Sequence, residues 1–154
     1  MSSFQADLKF GEEFQLRFID YLNIDEYDEV EFAPKYKFSD YDIKIKKGAT
    51  EINYEIKTDR KTKFTGNFCI EYECYNKPSG IATTKSDYYG YFVVNSKTDV
   101  ELYIIPVMYI KLLIESGKYK KFKGGDNWMS RFYLIPKGEF VQFLTPPKNK
   151  TSSE

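Results

Sequence analysis

Asp42, Glu55 and Lys57 are two carboxylates and an ammonium that two short alternating stretches bring toward one side of a hairpin. The stretches are YDIKIKK, from Tyr41, and TEINYEIK, from Thr50. In the first, Tyr41, Ile43 and Ile45 share one parity, and Asp42, Lys44 and Lys46 the other. In the second, Ile52, Tyr54 and Ile56 alternate with Glu51, Asn53, Glu55 and Lys57. Strict alternation predicts two half-buried strands, and Lys47-Gly48 marks the turn between them. Matching apolar to apolar sets Ile43 across from Tyr54 and Ile45 across from Ile52, which sets Asp42 across from Glu55. A one-residue slip would send every apolar side chain to the wrong face; a two-residue slip would keep parity and part the carboxylates. Like charges directly opposite destabilise a sheet, unless a cation sits between them.

The chemistry open to such a set is narrow. The chain has 23 basic and 23 acidic residues, no histidine and two cysteines, Cys69 and Cys74. Without histidine, Ser-His and Cys-His catalysis and histidine general bases are excluded. Two thiols alone do not complete a four-ligand zinc site, so reduced, partly buried cysteines are expected. What remains is carboxylate, lysine, tyrosine or hard-metal chemistry. Two carboxylates can hold Mg²⁺, which polarises a phosphate and activates water. A lysine beside them orients that water and stabilises developing charge. The zero net charge provides no global basic field, so any nucleic-acid contact must come from local patches.

Several elements must position these groups. Helical spacing of Leu8, Phe14, Phe18, Ile19 and Leu22 predicts a helix over about 4–22, with Gly11 either inside it or at its true start. Residues 29–32 predict a short strand ending near Pro34, and residues 58–67 a lysine-rich loop. Residues 68–74 alternate as a third strand, and NKPSG is a turn. DYYGYFVV, over 87–94, reads as a buried strand, continued in style by 102–105. Pro106 opens and Gly117 closes a second helix, KGGDNW is a loop, and 131–135 is a late strand. The expected fold is α/β or α+β, a central mixed sheet flanked by helices. One domain is expected over 1–145, with a disordered tail over 146–154. The first residues lack a signal-peptide core and no run of about 18 apolar residues occurs, so no membrane span is expected.

The stretches YDIKI and YEIK resemble the PD-(D/E)XK nuclease superfamily, in which an Asp on one strand is followed by Glu-x-Lys on the next. The resemblance implies an α-β-β-β-α-β restriction-endonuclease-like core over about residues 10–116. It also implies a metal site of Asp42, Glu55 and the Ile56 carbonyl, with Mg²⁺ or Mn²⁺ as cofactor, and Lys57 positioning the attacking water. In compact members, notably archaeal-type Holliday junction resolvases, the first helix adds a Glu four residues after a Gly. From Gly11 that position is Gln15; Glu12, one turn earlier, is the other candidate. TGNFCIEYE and KPSGIATTKSDYYGYFVV are similar to segments of small phage and viral members. They imply Glu71 as a further metal-site group and Lys85 as a phosphate contact.

The activity implied is a Mg²⁺-dependent endodeoxyribonuclease acting on branched DNA as a homodimer, phage or virus encoded, in the cytoplasm of the host cell. Alternatives are a restriction, repair or exonuclease-like member, or a catalytically silent nucleic-acid-binding domain. Glu-x-Lys by itself fits a solvated strand face. Tyr88, Tyr89 and Tyr91 read as core and sheet surface rather than a base-stacking platform. The basic runs 57–63, with Lys61 and Lys63, and 118–123 read as solvated segments or, beside a phosphate site, as backbone clamps.

Overall fold

The computed structural model describes residues 3–34 and 40–146. Helix α1 (Ser3–Tyr21) leads into β1 (Glu29–Phe32) and then the hairpin of β2 (Ile43–Lys47) and β3 (Thr50–Asp59). One helical turn, α2 (Thr62–Thr65), precedes β4 (Asn67–Cys74) and the two-residue β5 (Lys77–Pro78). Then come β6 (Tyr88–Val94), β7 (Val100–Pro106), α3 (Val107–Glu115), β8 (Lys121–Gly124) and β9 (Ser130–Pro136). The architecture is α+β, with a mixed five-stranded sheet in the order β1-β2-β3-β6-β7 and a four-stranded sheet in the order β5-β4-β9-β8. Among the described strands only the β3–β6 pair is parallel. Among the described residues no helix is long and apolar enough to cross a membrane.

The hairpin has the register expected from its pattern, with Ile43 opposite Tyr54, Ile45 opposite Ile52 and Lys47 opposite Thr50. That leaves a two-residue loop whose first residue, Gly48, has φ +61°. A two-residue loop with glycine first is the hairpin turn that matches strand twist. Because β3 alternates, Tyr54 and Ile56 face one way and Glu55, Lys57 and Asp59 the other. On the first side α1 lays Phe14 and Phe18 over Ile43, Ile45, Tyr54, Phe92 and Leu102. On the second side Tyr89, Tyr91, Val93, Tyr103 and Ile105 meet Phe68 and Ile70 of the smaller sheet, with Ile110 of α3. The Phe68 ring stacks between Tyr91 at 4.2 Å and Phe140 at 4.7 Å, fastening the two sheets. β6 is buried on both faces, as its continuous apolar run predicts.

Three expectations change, and the open choice at Gly11 is settled. β4 is a strand, but it belongs to the smaller sheet, and the neighbour of β3 is β6. Alternation fixes a strand's faces, not its partner. The segment read as a loop over 58–67 instead extends β3 to Asp59 and adds α2, because the Asp59 carboxylate accepts from the N–H groups of Lys61 and Thr62 and turns the chain. Gly11 lies inside α1. The expected loop KGGDNW contributes Lys123 and Gly124 to β8 before a short 3₁₀ turn over Asp126–Trp128. The tail expected over 146–154 lies, from residue 147 on, outside the described residues.

Two glycines test the packing in opposite senses. A Cβ on Gly90 would sit 2.5 Å from a Phe18 ring carbon and 2.9 Å from Ile56 Cδ1. Gly90→Ala is therefore expected to cost about 2–3 kcal/mol through overpacking between α1 and the sheet. A Cβ on Gly11 meets nothing within 4 Å, so Gly11→Ala, in mid-helix, is expected to gain about 0.5–1 kcal/mol. Urea denaturation of both variants checks the pair; equal effects would contradict this packing.

Candidate active site

The hairpin register, carried one residue past its last ladder pair, puts Asp42 opposite Glu55. Backbone bonds fix the approach: the Asp42 N–H donates to the Tyr54 carbonyl at 2.8 Å, and the Ala33 N–H to the Asp42 carbonyl at 2.9 Å. The Asp42 side chain then turns over β3, where its Oδ2 accepts from the Ile56 N–H at 2.7 Å. Glu55 accepts from Thr84 Oγ1 at 3.3 Å and lies 3.5 Å from Lys57 Nζ. All three groups are half-buried, at the margin where the smaller sheet begins to cover the larger.

The electrostatics follow from that margin. Burial pushes the Glu55 carboxyl up, and the Asp42 carboxylate adds to it; Lys57 opposes, and the result is about 7. Burial alone would lower the Lys57 ammonium. The negative charge of Glu55, reinforced by Asp42 and Glu71, outweighs it and holds the group well above its ordinary value. Lys57 is thus a cation and a donor at neutral pH, and Glu55 binds a proton more readily than an ordinary glutamate.

The other expected site residues divide. Glu71 approaches from β4, accepts from Ser79 Oγ at 3.0 Å, and is near enough for its charge to act on Lys57. Lys85 lies at the rim, 76% exposed, with Nζ 3.8 Å from Asp40. Glu12 and Gln15 ride on α1, whose buried Phe14 and Phe18 contact the opposite face of the sheet. Glu12 is exposed and Gln15 half-buried, and among the described residues neither bonds to the cluster. Lys61 and Lys63 are exposed beyond the far end of β3; Lys63 Nζ reaches the Asn95 carbonyl at 3.1 Å. In the run 118–123, Lys121 lies over the Tyr72 and Tyr133 rings at the edge strand β8. Cys69 and Cys74 are free.

Sequence reasoning gave no site role to four contributors, Thr84, Ser86, Asp40 and Tyr89. Thr84 bonds Glu55, and Asp40 is held by Thr84, Lys85 and Ser86. Tyr89, paired with Glu55 across the parallel β3–β6 ladder, sits under the same charges. The threonine, serine and aspartate carry no spacing signal, and Tyr89 is hidden in an apolar run.

Among the described residues no three Asp, Glu, Cys or His side chains converge as a ready metal cage. The donor set fits a cation that keeps much of its water. Mg²⁺ is commonly held by one or two carboxylates with water and substrate oxygens, and a divalent charge would offset the burial and the Asp42 neighbour that raise Glu55. Comparison with protein-family models, with curated proteins and with solved structures finds no match.

The raised Glu55 carboxyl predicts a pH signature. The folded state binds this proton more tightly than the unfolded chain. Its contribution to stability is therefore complete below the ordinary glutamate range and is lost as pH rises through about 7. Metal-free protein should lose stability over that window with a slope of up to about 1.4 kcal/mol per pH unit. Glu55→Gln should flatten it. Urea midpoints measured from about pH 4.5 to about pH 8 check this; an unchanged slope in the variant assigns the proton elsewhere.

Proposed function

We propose that this domain is a metal-dependent nuclease of the PD-(D/E)XK type that hydrolyses DNA phosphodiesters. The observation that carries the reading is the convergence of Asp42, Glu55 and Lys57 across β2 and β3, with Glu55 pushed up by burial and by Asp42. Asp42 and Glu55, with the Ile56 carbonyl, would hold Mg²⁺ or Mn²⁺, which when bound supplies Lewis-acid polarisation of the phosphate. The chain's own groups do the rest. Asp42 is oriented by the Ile56 N–H, and Thr84 orients Glu55. Lys57, kept as an ammonium by its carboxylate neighbours, donates to the attacking water and to charge developing on the phosphate, an effect felt mainly in the transition state.

Branched DNA is the substrate class favoured within this reading. Both longer helices cover apolar sheet faces, so neither is free to enter a major groove for base readout. Exposed Lys61, Lys63 and Lys85 would contact backbone, so binding should weaken steeply with salt. Symmetric cuts at a four-way junction need two sites related by a two-fold axis, hence a homodimer.

The decisive assay compares a mobile four-way junction with its linear arms, in Mg²⁺ and in EDTA. Metal-dependent cutting of the junction over the arms is expected. Asp42→Asn and Glu55→Gln should abolish both cleavage and the Mg²⁺-induced rise in melting temperature. Lys57→Ala should lower kcat by about a hundredfold or more with DNA affinity largely kept. Absence of metal-dependent cleavage of any DNA, together with no metal-induced stabilisation, would sink the reading; equal cutting of arms and junction would move it to a repair or restriction role.

A further inference from the structure

β6 places two tyrosines on the face shared with Glu55, Lys57 and Asp59, and they are treated differently. Tyr91, level with Lys57 in the β3–β6 ladder, donates its hydroxyl to Asp59 and accepts from the Cys69 N–H at 3.1 Å. Tyr89, two residues earlier and level with Glu55, is 1% exposed, and its hydroxyl has no hydrogen-bond partner among the described residues. A buried hydroxyl without a partner is costly. The surroundings offer no substitute: Tyr89 belongs to the apolar cluster that includes Ile70, Ile81 and Ile105. The charged groups acting on it are Lys57, Glu55, Glu71 and Asp42, the candidate site itself. The Glu55 carboxyl is already engaged by Thr84 and Lys57.

We propose that the Tyr89 phenol is a ligand-contacting donor, giving its O–H to an oxygen of the phosphate that lies against Lys57. The face shared by β3 and β6 then presents two donors to one oxyanion, the Lys57 ammonium and the neutral phenol, beside the carboxylates that would hold its counter-cation. Burial raises the Tyr89 hydroxyl well above its ordinary value, so it stays protonated and serves as a donor, not a base. The inference rests on the phosphodiester reading of this site and adds a contact which that reading does not require.

Tyr89→Phe keeps the ring and removes only the oxygen. Without ligand the variant should melt at the wild-type temperature or higher, because a buried unpartnered group has been removed. Inorganic phosphate, added with Mg²⁺ against chloride of matched ionic strength, should raise the melting temperature of the wild type. The rise should shrink in Tyr89→Phe and in Lys57→Ala. On DNA, Tyr89→Phe should lower kcat by about tenfold or more with a smaller change in KM. A lower melting temperature for ligand-free Tyr89→Phe would reveal a structural partner for the hydroxyl and overturn the proposal. So would an undiminished phosphate response in the variant, or no phosphate response in the wild type. A phosphate response that depends on Tyr89 in a protein that cleaves no DNA would keep the phosphate contact and remove the nuclease reading. Cleavage with phosphate responses equal in wild type and Tyr89→Phe would do the reverse.

Discussion

The structure turns on a central strand, β3, that carries three ionisable residues beyond the exposed Glu51 on a face the fold partly covers. Glu55, Lys57 and Asp59 alternate with Tyr54, Ile56 and Thr58, and strand pleating forces them to one side. Charges taken from water need partners or the strand is lost. Most polar interactions on that side answer this need. The answer differs at the two ends of the strand.

At the far end the account closes. Asp59 accepts from the N–H groups of Lys61 and Thr62 and from the Tyr91 hydroxyl, which in turn accepts from Cys69. That network links β3, β6, α2 and β4, and each polar atom named in it has a protein partner. Fully satisfied networks of this kind rigidify a core. At the near end it stays open. Two carboxylates face one another, Glu55 is pushed toward neutrality, and the Tyr89 hydroxyl has no partner among the described residues. Proteins tolerate local frustration mainly where a ligand resolves it. Along a single strand, a network closed within the protein thus stands beside a cluster that is not closed.

The readable part of this arrangement was local. Alternation in 41–57 gave both strands and their faces, because a one-residue slip would bury Lys44 and Lys46, and matching apolar to apolar chose the observed register over a two-residue slip that keeps the same parity. The apolar run of β6 and the Pro106-to-Gly117 span of α3 were readable for similar reasons, and Gly117 closes that helix at φ +74°. What stayed hidden was long-range. Nothing in FCIEYEC says that β4 pairs with β9 and faces β3 across a layer. The placement of Gln15 and Glu12 depends on which sheet face α1 covers, and helical periodicity gives a helix's apolar stripe but not its target. Tyr89 illustrates a deeper limit. A phenol reads as core in sequence whether its oxygen is bonded or not, and only the surrounding atoms distinguish Tyr89 from Tyr91.

The wall opposite the hairpin shows how the near end is kept open. The chain from Ser79 to Lys85 touches three carboxylates in succession: Ser79 bonds Glu71, Thr84 bonds Glu55, and Lys85 pairs with Asp40. It lies close enough to β4 that a Cβ on Gly80 would sit 2.3 Å from the Glu71 carbonyl oxygen, and Gly80 has φ +53°. Glycine alone meets both demands without strain. Beside it, β4 breaks register between Glu71 and Glu73, and such irregularities bend a strand and re-aim its side chains. A regular β4 and a bulkier residue at position 80 would shift Glu71 and Thr84 relative to β3. The smaller sheet therefore does two jobs with one strand: Phe68 and Ile70 seal the core at the Asp59 end, and Glu71 brings negative charge toward Lys57 where the seal stops.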